Sequence, residues 1–294
     1  MLNKKEGVSS HSALTPLKKL LPKNTKIGHT GTLDPNATGL LPVAVGRASK
    51  FIQYLGEHPK KYRAGILFGR KTDSGDIWGK TLAELEIRKN SECEHAEKLT
   101  LFRDRMKGFL GKISQVPPMY SAIKKDGKPL YKYAREGIEL ERSAREVEIY
   151  QIDILEFDYP NVTIEVECSK GTYIRTLIED LAESMGEMAC MSSLLRLKSD
   201  GFDLKDAQKI EEFQTYKDLR DKLIPIEKVF ERLPKVQVDA AHAKHIKNGV
   251  PVDLSRFPSR ESGVFGYYSV CDERELMFAL AERNEEQFRT VAVI

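Results

Sequence analysis

The amino-acid sequence predicts an α+β protein with a larger N-terminal domain and a smaller β-rich C-terminal domain. Residues 61–69 and 162–168 alternate between apolar and polar side chains, which is the period of a strand with one buried face. Residues 97–110 and 174–185 instead carry apolar side chains at helical spacing. A chain of 294 residues, 40% of them hydrophobic, is long enough for about two domains with separate cores.

The strand predicted at 61–69 is followed by a helix at 97–110. One face of the strand consists of Tyr62, Ala64, Ile66 and Phe68. The apolar side of the helix consists of Leu99, Phe102, Met106, Phe109 and Leu110. Gly111 marks the end of this helix.

The second strand, 162–168, leads into a helix at 174–185. Thr172 precedes that helix and is its predicted N-cap. Arg175 lies in the first turn, about 100° around the helix from Ile174 and therefore off the centre of the apolar side. A planar, permanently charged guanidinium at this place is suited to hold a carboxylate through two hydrogen bonds.

The pattern changes after about residue 230, where we expect a domain boundary. A short helix is predicted at 240–248, and β-rich runs follow at 264–270 and 276–281. The sequence therefore predicts a first domain over residues 1–230 and a second over 231–294.

Composition narrows the functional classes. The formal net charge is +3, and no apolar run has the length that a membrane span needs. The N-terminus lacks the apolar segment of a signal peptide, so we expect a cytoplasmic protein. Four cysteines without paired spacing argue against disulfides and a zinc site. His242 and His245 fit a helix surface better than a metal site, because no carboxylate or thiol follows in step.

Residues 27–46 form the most unusual segment of the chain. Charged residues make up 31% of the protein, yet this segment contains a single one, Asp34. It lies between the turn-forming Gly31 and Pro35, and an apolar run follows at 40–45. Two interpretations fit: an ordinary turn or helix cap, or an acid retained for chemistry.

A second candidate site is a basic segment at 123–137. Its cations, which outnumber its two acids, are Lys124, Lys125, Lys128, Lys132 and Arg135. Tyr131 and Tyr133 lie among them. Cations attract phosphates and aromatic rings stack on unpaired bases, so one interpretation is a nucleic-acid surface. The other is a solvated helix face.

Four motifs occur in order along the chain. They are GHTGTLDPNATGLL at 28–41, KY and TD at 61–62 and 72–73, QVPPMYSA at 115–122, and CSKGTYIRTL at 168–177. Together they resemble the TruB family, the bacterial tRNA pseudouridine-55 synthases. The resemblance implies a pseudouridine synthase core, in which helices flank a curved, mainly antiparallel mixed sheet, and a small β-rich PUA-like domain at the C-terminus.

The resemblance further implies a reaction and its partners. Family members isomerise one uridine of the tRNA T-loop, at position 55, by detaching the base at N1 and rejoining it to the ribose through C5. This chemistry needs no cofactor and no metal. We expect a monomer that contacts the tRNA T-arm through its core and the acceptor stem through its C-terminal domain, without guide RNA and without a membrane.

Site residues follow from the resemblance position by position. Asp34 matches the essential aspartate, and Arg175 matches the arginine that pairs with it and keeps it ionised. Tyr62 matches the tyrosine that stacks on the flipped base and is a candidate for removing the C5 proton. Whether Asp34 attacks C1′ of the ribose or removes the C2′ proton stays open.

A larger set of residues is expected to contact RNA. It consists of His29, Lys61, Tyr120, Lys124, Lys125, Lys128, Tyr131, Arg135, Tyr173, Leu194 and Arg196. Residues 117–150 match the mobile thumb with which the family clasps RNA. His29 matches the residue that fills the space left by the flipped base, although an ordinary turn histidine is the other interpretation.

The N-terminus departs from the family pattern. Family members open with an apolar strand and Lys-Pro-x-Gly-x-Thr-Ser, whereas this chain has Lys5 in place of the proline and almost nothing before it. The pattern leaves open whether the first strand of the sheet is present.

Three other functions fit parts of the pattern. A guide-RNA-dependent relative predicts partner-binding extensions and a larger C-terminal domain. A catalytically silent tRNA-binding protein has no need of Asp34, Tyr62 and Arg175 together. An aspartyl-phosphate enzyme needs magnesium-binding carboxylates in step with Asp34. The residues favour a stand-alone synthase over all three.

Overall fold

A computed structural model describes residues 1–55, 58–86, 92–257, 266–274, 276–284 and 287–294. The strands, in chain order, are β1 (Leu2–Lys4), β2 (Ile27–His29), β3 (Thr38–Leu41), β4 (Val43–Val45), β5 (Lys60–Phe68), β6 (Arg70–Thr72), β7 (Thr81–Glu84), β8 (Gly111–Gln115), β9 (Lys124–Lys125), β10 (Lys128–Pro129), β11 (Arg145–Asp158), β12 (Asn161–Cys168), β13 (Ala189–Ser199), β14 (Phe202–Asp203), β15 (Gln208–Lys209), β16 (Lys235–Gln237), β17 (Gly266–Cys271), β18 (Met277–Arg283) and β19 (Phe288–Val293). The helices are α1 (Ser10–Ala13), α2 (Thr15–Leu20), α3 (Glu92–Lys107), α4 (Leu130–Arg135), α5 (Ile174–Ser184), α6 (Tyr216–Asp221), α7 (Ile226–Val229) and α8 (Ala240–Lys247). Stretches of 3₁₀ helix lie at Gly46–Tyr54, Leu204–Asp206, Ile210–Glu212 and Leu254–Arg256.

The chain divides into two compact units. The first consists of Met1–Ala13, Gly31–Pro42 and Glu57–Ile210, and the second of Leu14–Thr30, Val43–Gly56 and Glu211–Ile294. Two early segments therefore belong to the unit that contains the C-terminus. The functional boundary near residue 231 stays a prediction, because compactness does not test it.

The first unit is built on a mixed, mainly antiparallel sheet. Among the described residues its strands lie in the order β15-β1-β3-β13-β5-β12-β11-β8, and β14 pairs with β13. The pairs β1–β15 and β3–β13 run parallel. β5 lies inside the sheet, where Tyr62 faces Val166 of β12 and Arg196 of β13. The predicted α+β class is confirmed.

The first strand of the sheet is present. β1 is only three residues long, but Leu2 pairs with Leu41 of β3 on one side and with Gln208 of β15 on the other. The Leu2 side chain is also buried. Partners on both sides form this strand, because three residues carry almost no strand preference of their own.

Helix α5 packs its apolar side into the core of the first unit. Leu177, Ile178 and Leu181 are buried there. The prediction that Thr172 caps this helix is wrong. Tyr173 occupies the N-cap position without a side-chain hydrogen bond, and the Thr172 hydroxyl instead donates to Ser169 O at 2.9 Å. A threonine hydroxyl can close the preceding turn as readily as it caps a helix.

The other predicted elements agree with the structure to different degrees. The strand predicted at 61–69 is β5, and the one at 162–168 is β12. The helix predicted at 97–110 is α3, which begins five residues earlier, with Glu92 and Glu94 in its first turn. Acidic residues favour a helix N-terminus, and the apolar pattern alone does not register them.

The second unit contains the β-rich end of the chain. A sheet in the order β16-β17-β18-β19 packs with α8 around a core that includes Val236, Ile246 and Tyr268. The predicted run at 264–270 corresponds to β17, and its first two residues lie outside the described part of the chain. Within the described residues, every helix is too short or too polar to cross a bilayer.

Candidate active site

Asp34 lies in the turn that connects Gly31 to β3. Leu33 and Ala37, on either side of it, are buried in the core of the first unit and anchor the turn. Ala37 N donates to Asp34 O at 3.1 Å, which closes the turn. The Asp34 side chain stays 36% exposed, so its carboxylate is within reach of a bound molecule.

The N-terminal residues hold this turn in place. Ser10 Oγ accepts a hydrogen bond from Leu33 N at 2.8 Å and donates to Leu33 O at 2.9 Å. Lys4 Nζ donates to Pro35 O at 2.8 Å and to Val8 O at 2.7 Å. Burial lowers the pKa of Lys4 to about 8, although the negative charge of Asp34 opposes this effect.

Arg175 pairs with Asp34 as the sequence predicts. Its Nε lies 3.1 Å from Asp34 Oδ2. The prediction of two hydrogen bonds to the carboxylate is wrong, because the other two nitrogens are engaged elsewhere. Nη1 donates to Ser74 O at 2.7 Å, and Nη2 donates to Tyr120 O at 2.8 Å. The backbone carbonyls therefore fix the guanidinium, and one edge of it faces the acid.

Electrostatics at Asp34 are a balance of opposed effects. Burial raises the pKa of the Asp34 carboxyl above its ordinary value, and the nearby Asp76 adds to the rise. The charge of Arg175 and its hydrogen bond lower the pKa. Arg175 thus acts in the predicted direction, but burial is the larger effect.

Tyr62 lies in the same apolar cluster as Leu33 and Ala37, which flank Asp34. Burial raises the pKa of Tyr62 to about 12. The phenol therefore keeps its proton near neutral pH. A role for Tyr62 in removing the C5 proton requires another group to take the phenol proton first, whereas stacking on a base does not.

The predicted thumb carries cations in two different states. Lys124 and Lys125, on β9, are exposed, and Lys125 Nζ donates to Glu141 O at 3.2 Å. Lys128 is held by Glu136 at 2.6 Å, and its ammonium lies 4.3 Å from the centre of the Tyr133 ring. Tyr131 lies under Arg135, with 5.5 Å between the guanidinium carbon and the ring centre. Tyr120 joins the thumb to the site, since its carbonyl accepts from Arg175 and its hydroxyl donates to Asp73 Oδ2 at 3.1 Å.

The remaining residues predicted to contact RNA are scattered. Lys61 pairs with Glu165 at 2.6 Å. Tyr173 precedes α5, and its amide donates to Gln115 Oε1 at 3.0 Å. Leu194 is buried on β13. His29 lies on β2 in the second unit.

The prediction that Arg196 contacts RNA is contradicted by the structure. Its side chain is 0% exposed. Arg196 Nε donates to Leu40 O at 2.8 Å, and Nη2 donates to Gly31 O at 3.1 Å. Gly39 also packs on it, since a Cβ there would lie 2.4 Å from Arg196 O. Arg196 therefore holds both ends of the Asp34 turn from inside the protein.

Sequence reasoning missed two residues that hold the Asp34 turn, Lys4 and Ser10, and it missed the buried Lys60. Lys60 could have been found, because the alternation that buries Tyr62 and Ala64 also buries Lys60, two residues earlier on the same face of β5. No local pattern marks Lys4 and Ser10, whose partners in the Asp34 turn, Pro35 and Leu33, lie more than twenty residues away.

Metal ligands do not converge in the described part of the chain, where no three His, Cys, Asp or Glu side chains could hold one ion. His242 lies on the exposed side of α8, with Nδ1 2.7 Å from Asp239 Oδ2. The four cysteines are free thiols.

The similarity of this chain to known proteins agrees with the geometry of the site. Residues 18–174 match the family model described as TruB family pseudouridylate synthase, N-terminal domain. Among curated relatives, tRNA pseudouridine synthase B of Alkaliphilus oremlandii is 42% identical over 84% of this chain and 79% of its own length. That of Clostridium perfringens is 37% identical over 97% of this chain and 95% of its own length.

The fold comparison points to the same class of protein. The crystal structure of a Cbf5–Nop10–Gar1 complex contains a chain with a TM-score of 0.68 and 26% identity, covering 100% of this chain and 82% of that one. A fold and a site of this kind define a pseudouridylate synthase. The chain belongs to the TruB family of these enzymes.

Proposed function

We propose that this protein is a stand-alone tRNA pseudouridine synthase that isomerises the T-loop uridine at position 55. The Asp34–Arg175 pair, with 3.1 Å between Oδ2 and Nε, is the observation that carries the proposal. The names of the curated relatives, tRNA pseudouridine synthase B, support tRNA as the substrate. The reaction takes place in the cytoplasm, and the enzyme acts as a monomer.

Asp34 serves the step in which the bond between C1′ and N1 of uridine breaks. Positive charge develops on the sugar at that point, and a carboxylate held beside it can stabilise or capture this charge. The base then joins C1′ through C5, loses the C5 proton and gains one at N1. Arg175 keeps Asp34 available by favouring its ionised form.

The target base has to leave its stack before Asp34 can act, which costs a few kcal/mol. Tyr62 packs in the same apolar cluster as Leu33 and Ala37, and we assign it to stacking on the flipped base. Lys124 and Lys125 are the exposed thumb cations suited to phosphates of the T-arm. His29 fills the space that the base leaves.

The two domains have different functions. Residues 1–230 catalyse the reaction, and 117–150 clasp the T-arm. Residues 231–294 form a PUA-like domain that contacts the acceptor stem, which the β-rich sheet of the second unit supports. The protein uses no guide RNA, and 42% identity to a curated tRNA enzyme supports this view over the 26% identity to a chain from a multi-protein complex.

The site of modification tests the proposal. Purified protein is incubated with unmodified tRNA transcript, without other proteins or RNAs, and pseudouridine is located by carbodiimide labelling and primer extension. We expect one stop, at the nucleotide immediately 3′ of position 55, and none in a transcript with cytidine at that position. Absence of pseudouridine despite folded protein, or modification at another uridine, contradicts the proposed function.

A further inference from the structure

Lys60 is a buried charge that the proposed mechanism does not use. It begins β5, and its side chain is only 8% exposed. Lys60 lies on the same face of the strand as Tyr62. Burial lowers the pKa of its ammonium, and the positive charges of Arg196 and Lys170 act in the same direction, whereas Asp200 opposes them.

The ammonium of Lys60 lies against the first residue of the Asp34 turn. A Cβ added to Gly31 would come within 2.9 Å of Lys60 Nζ and 3.5 Å of Arg196 Nη1. The first distance is shorter than a normal contact, and the second is an ordinary one. Gly31 has no positive φ, so its backbone permits other residues, and the Lys60 ammonium is the group that would have to shift to admit a side chain there.

Arg196 contacts the same residue. Its Nη2 donates to Gly31 O at 3.1 Å, and its Nη1, which has no hydrogen-bond partner among the described residues, would lie 3.5 Å from a Cβ on Gly31. Two buried cations therefore meet at Gly31, and a displacement of this residue changes its contact with Lys60 or its hydrogen bond to Arg196.

Packing alone does not account for this arrangement. A lysine buried beside an arginine costs free energy, because desolvation and like charges both act against it. An apolar side chain of similar length fills such a space without that cost. A buried charge that is retained despite this cost, beside the turn that carries Asp34, indicates a function in the reaction.

We infer that Lys60 is a positioning residue, whose ammonium group packs with Arg196 against Gly31 and thereby helps to set the position of the Asp34 carboxylate. The inference rests on the proposed function, because the reaction is what the position of Asp34 serves. Two features make the contact possible. Gly31 has no side chain, and the Lys60 side chain is long enough to bring its ammonium group against it.

The test is a double-mutant cycle on kcat for tRNA modification. Lys60→Ala removes the contact of the ammonium with Gly31, and Gly31→Ala displaces the ammonium, so each lowers kcat about tenfold to a hundredfold while KM for tRNA is unchanged. In the double variant the new methyl group occupies the space that Lys60 left, so we expect kcat to recover at least threefold over Gly31→Ala alone. Arg63→Ala, on the exposed face of the same strand, is the control and keeps wild-type kcat.

A second readout does not depend on activity. Leu33 N–H, which donates to Ser10 Oγ, exchanges with deuterium faster in Lys60→Ala than in the wild type or in Arg63→Ala. Additive losses of kcat in the cycle, or unchanged exchange at Leu33, overturn the inference. If the wild-type protein modifies no tRNA, the proposed function fails, and the exchange measurement still decides the role of Lys60.

Discussion

At the scale of single residues, the site depends on how a buried cation is held. Arg175 uses two nitrogens on the carbonyls of Ser74 and Tyr120 and only one on Asp34. Contacts to the backbone fix the guanidinium independently of the acid, so it is already in place when the carboxylate reacts. The sequence indicates which residues form this pair, because motif and family place them. It could not show the carbonyl partners, which come from distant loops.

The pH dependence of the reaction tests this pairing. Removing the cation in Arg175→Gln takes away the effect that lowers the pKa of Asp34, so this pKa rises further. The carboxylate is then protonated at a higher pH, and the acidic limb of kcat/KM against pH moves upward. Arg63→Gln, which loses only a surface pair with Glu165, leaves the limb in place. If the acidic limb of kcat/KM against pH is the same in Arg175→Gln as in the wild type, Arg175 does not lower the pKa of Asp34 and the assignment of the pair is wrong.

At the scale of elements, strands and helices with a full period were predictable, and contacts between distant segments were not. β5, β12 and α5 each carry at least one complete apolar pattern, and the structure places them within about two residues of the prediction. β1 is too short to show a period and depends on strands from elsewhere in the chain. Arg196 was assigned to the RNA surface by the motif match, and its burial could not be foreseen because its partners lie more than 150 residues away.

The first strand links the turn to the stability of the fold through Lys4. Folding lowers the pKa of Lys4 from 10.5 to about 8, so between these values only the unfolded chain keeps the proton. The unfolded state binds more protons there, and stability contributed by this site therefore rises with pH from about 8 to 10.5.

Urea unfolding over this interval measures the effect. We expect the free energy of unfolding of the wild type to gain on that of Lys4→Met as pH rises, because methionine does not titrate. Lys5→Met, an exposed neighbour, keeps the wild-type slope. A constant difference between wild type and Lys4→Met across the interval contradicts the account of β1.

The environments of the lysines in the predicted thumb indicate that they contribute unequally to tRNA binding. Lys124 and Lys125 are exposed, whereas Glu136 already holds Lys128. Replacing Lys124 and Lys125 together by glutamine weakens tRNA binding and reduces its salt slope by about one to two units, and Lys128→Gln changes the slope less. Filter binding at several salt concentrations checks this, with Lys107→Gln on α3 as the control. Equal slopes for all four proteins are incompatible with phosphate contacts at β9.

At the scale of the whole molecule, the division into two compact units does not follow the order of the chain. The turn with Asp34 belongs to the first unit, while Leu14–Thr30 before it and Val43–Gly56 after it belong to the second. A change of composition near residue 231 cannot reveal this, because membership depends on contacts between residues far apart in sequence. In the second unit, Phe51 shares a cluster with Phe230, Met277 and Leu280.

The central claim is that Asp34 carries out the isomerisation of a tRNA uridine in this chain acting alone. Release of tritium from tRNA labelled at uridine C5 measures that step directly. We expect the wild-type protein to release about one tritium per tRNA without added RNA or protein, and folded Asp34→Asn to release none above background, because a neutral amide cannot attack C1′ or accept the C2′ proton. Release by Asp34→Asn at the wild-type rate contradicts the claim.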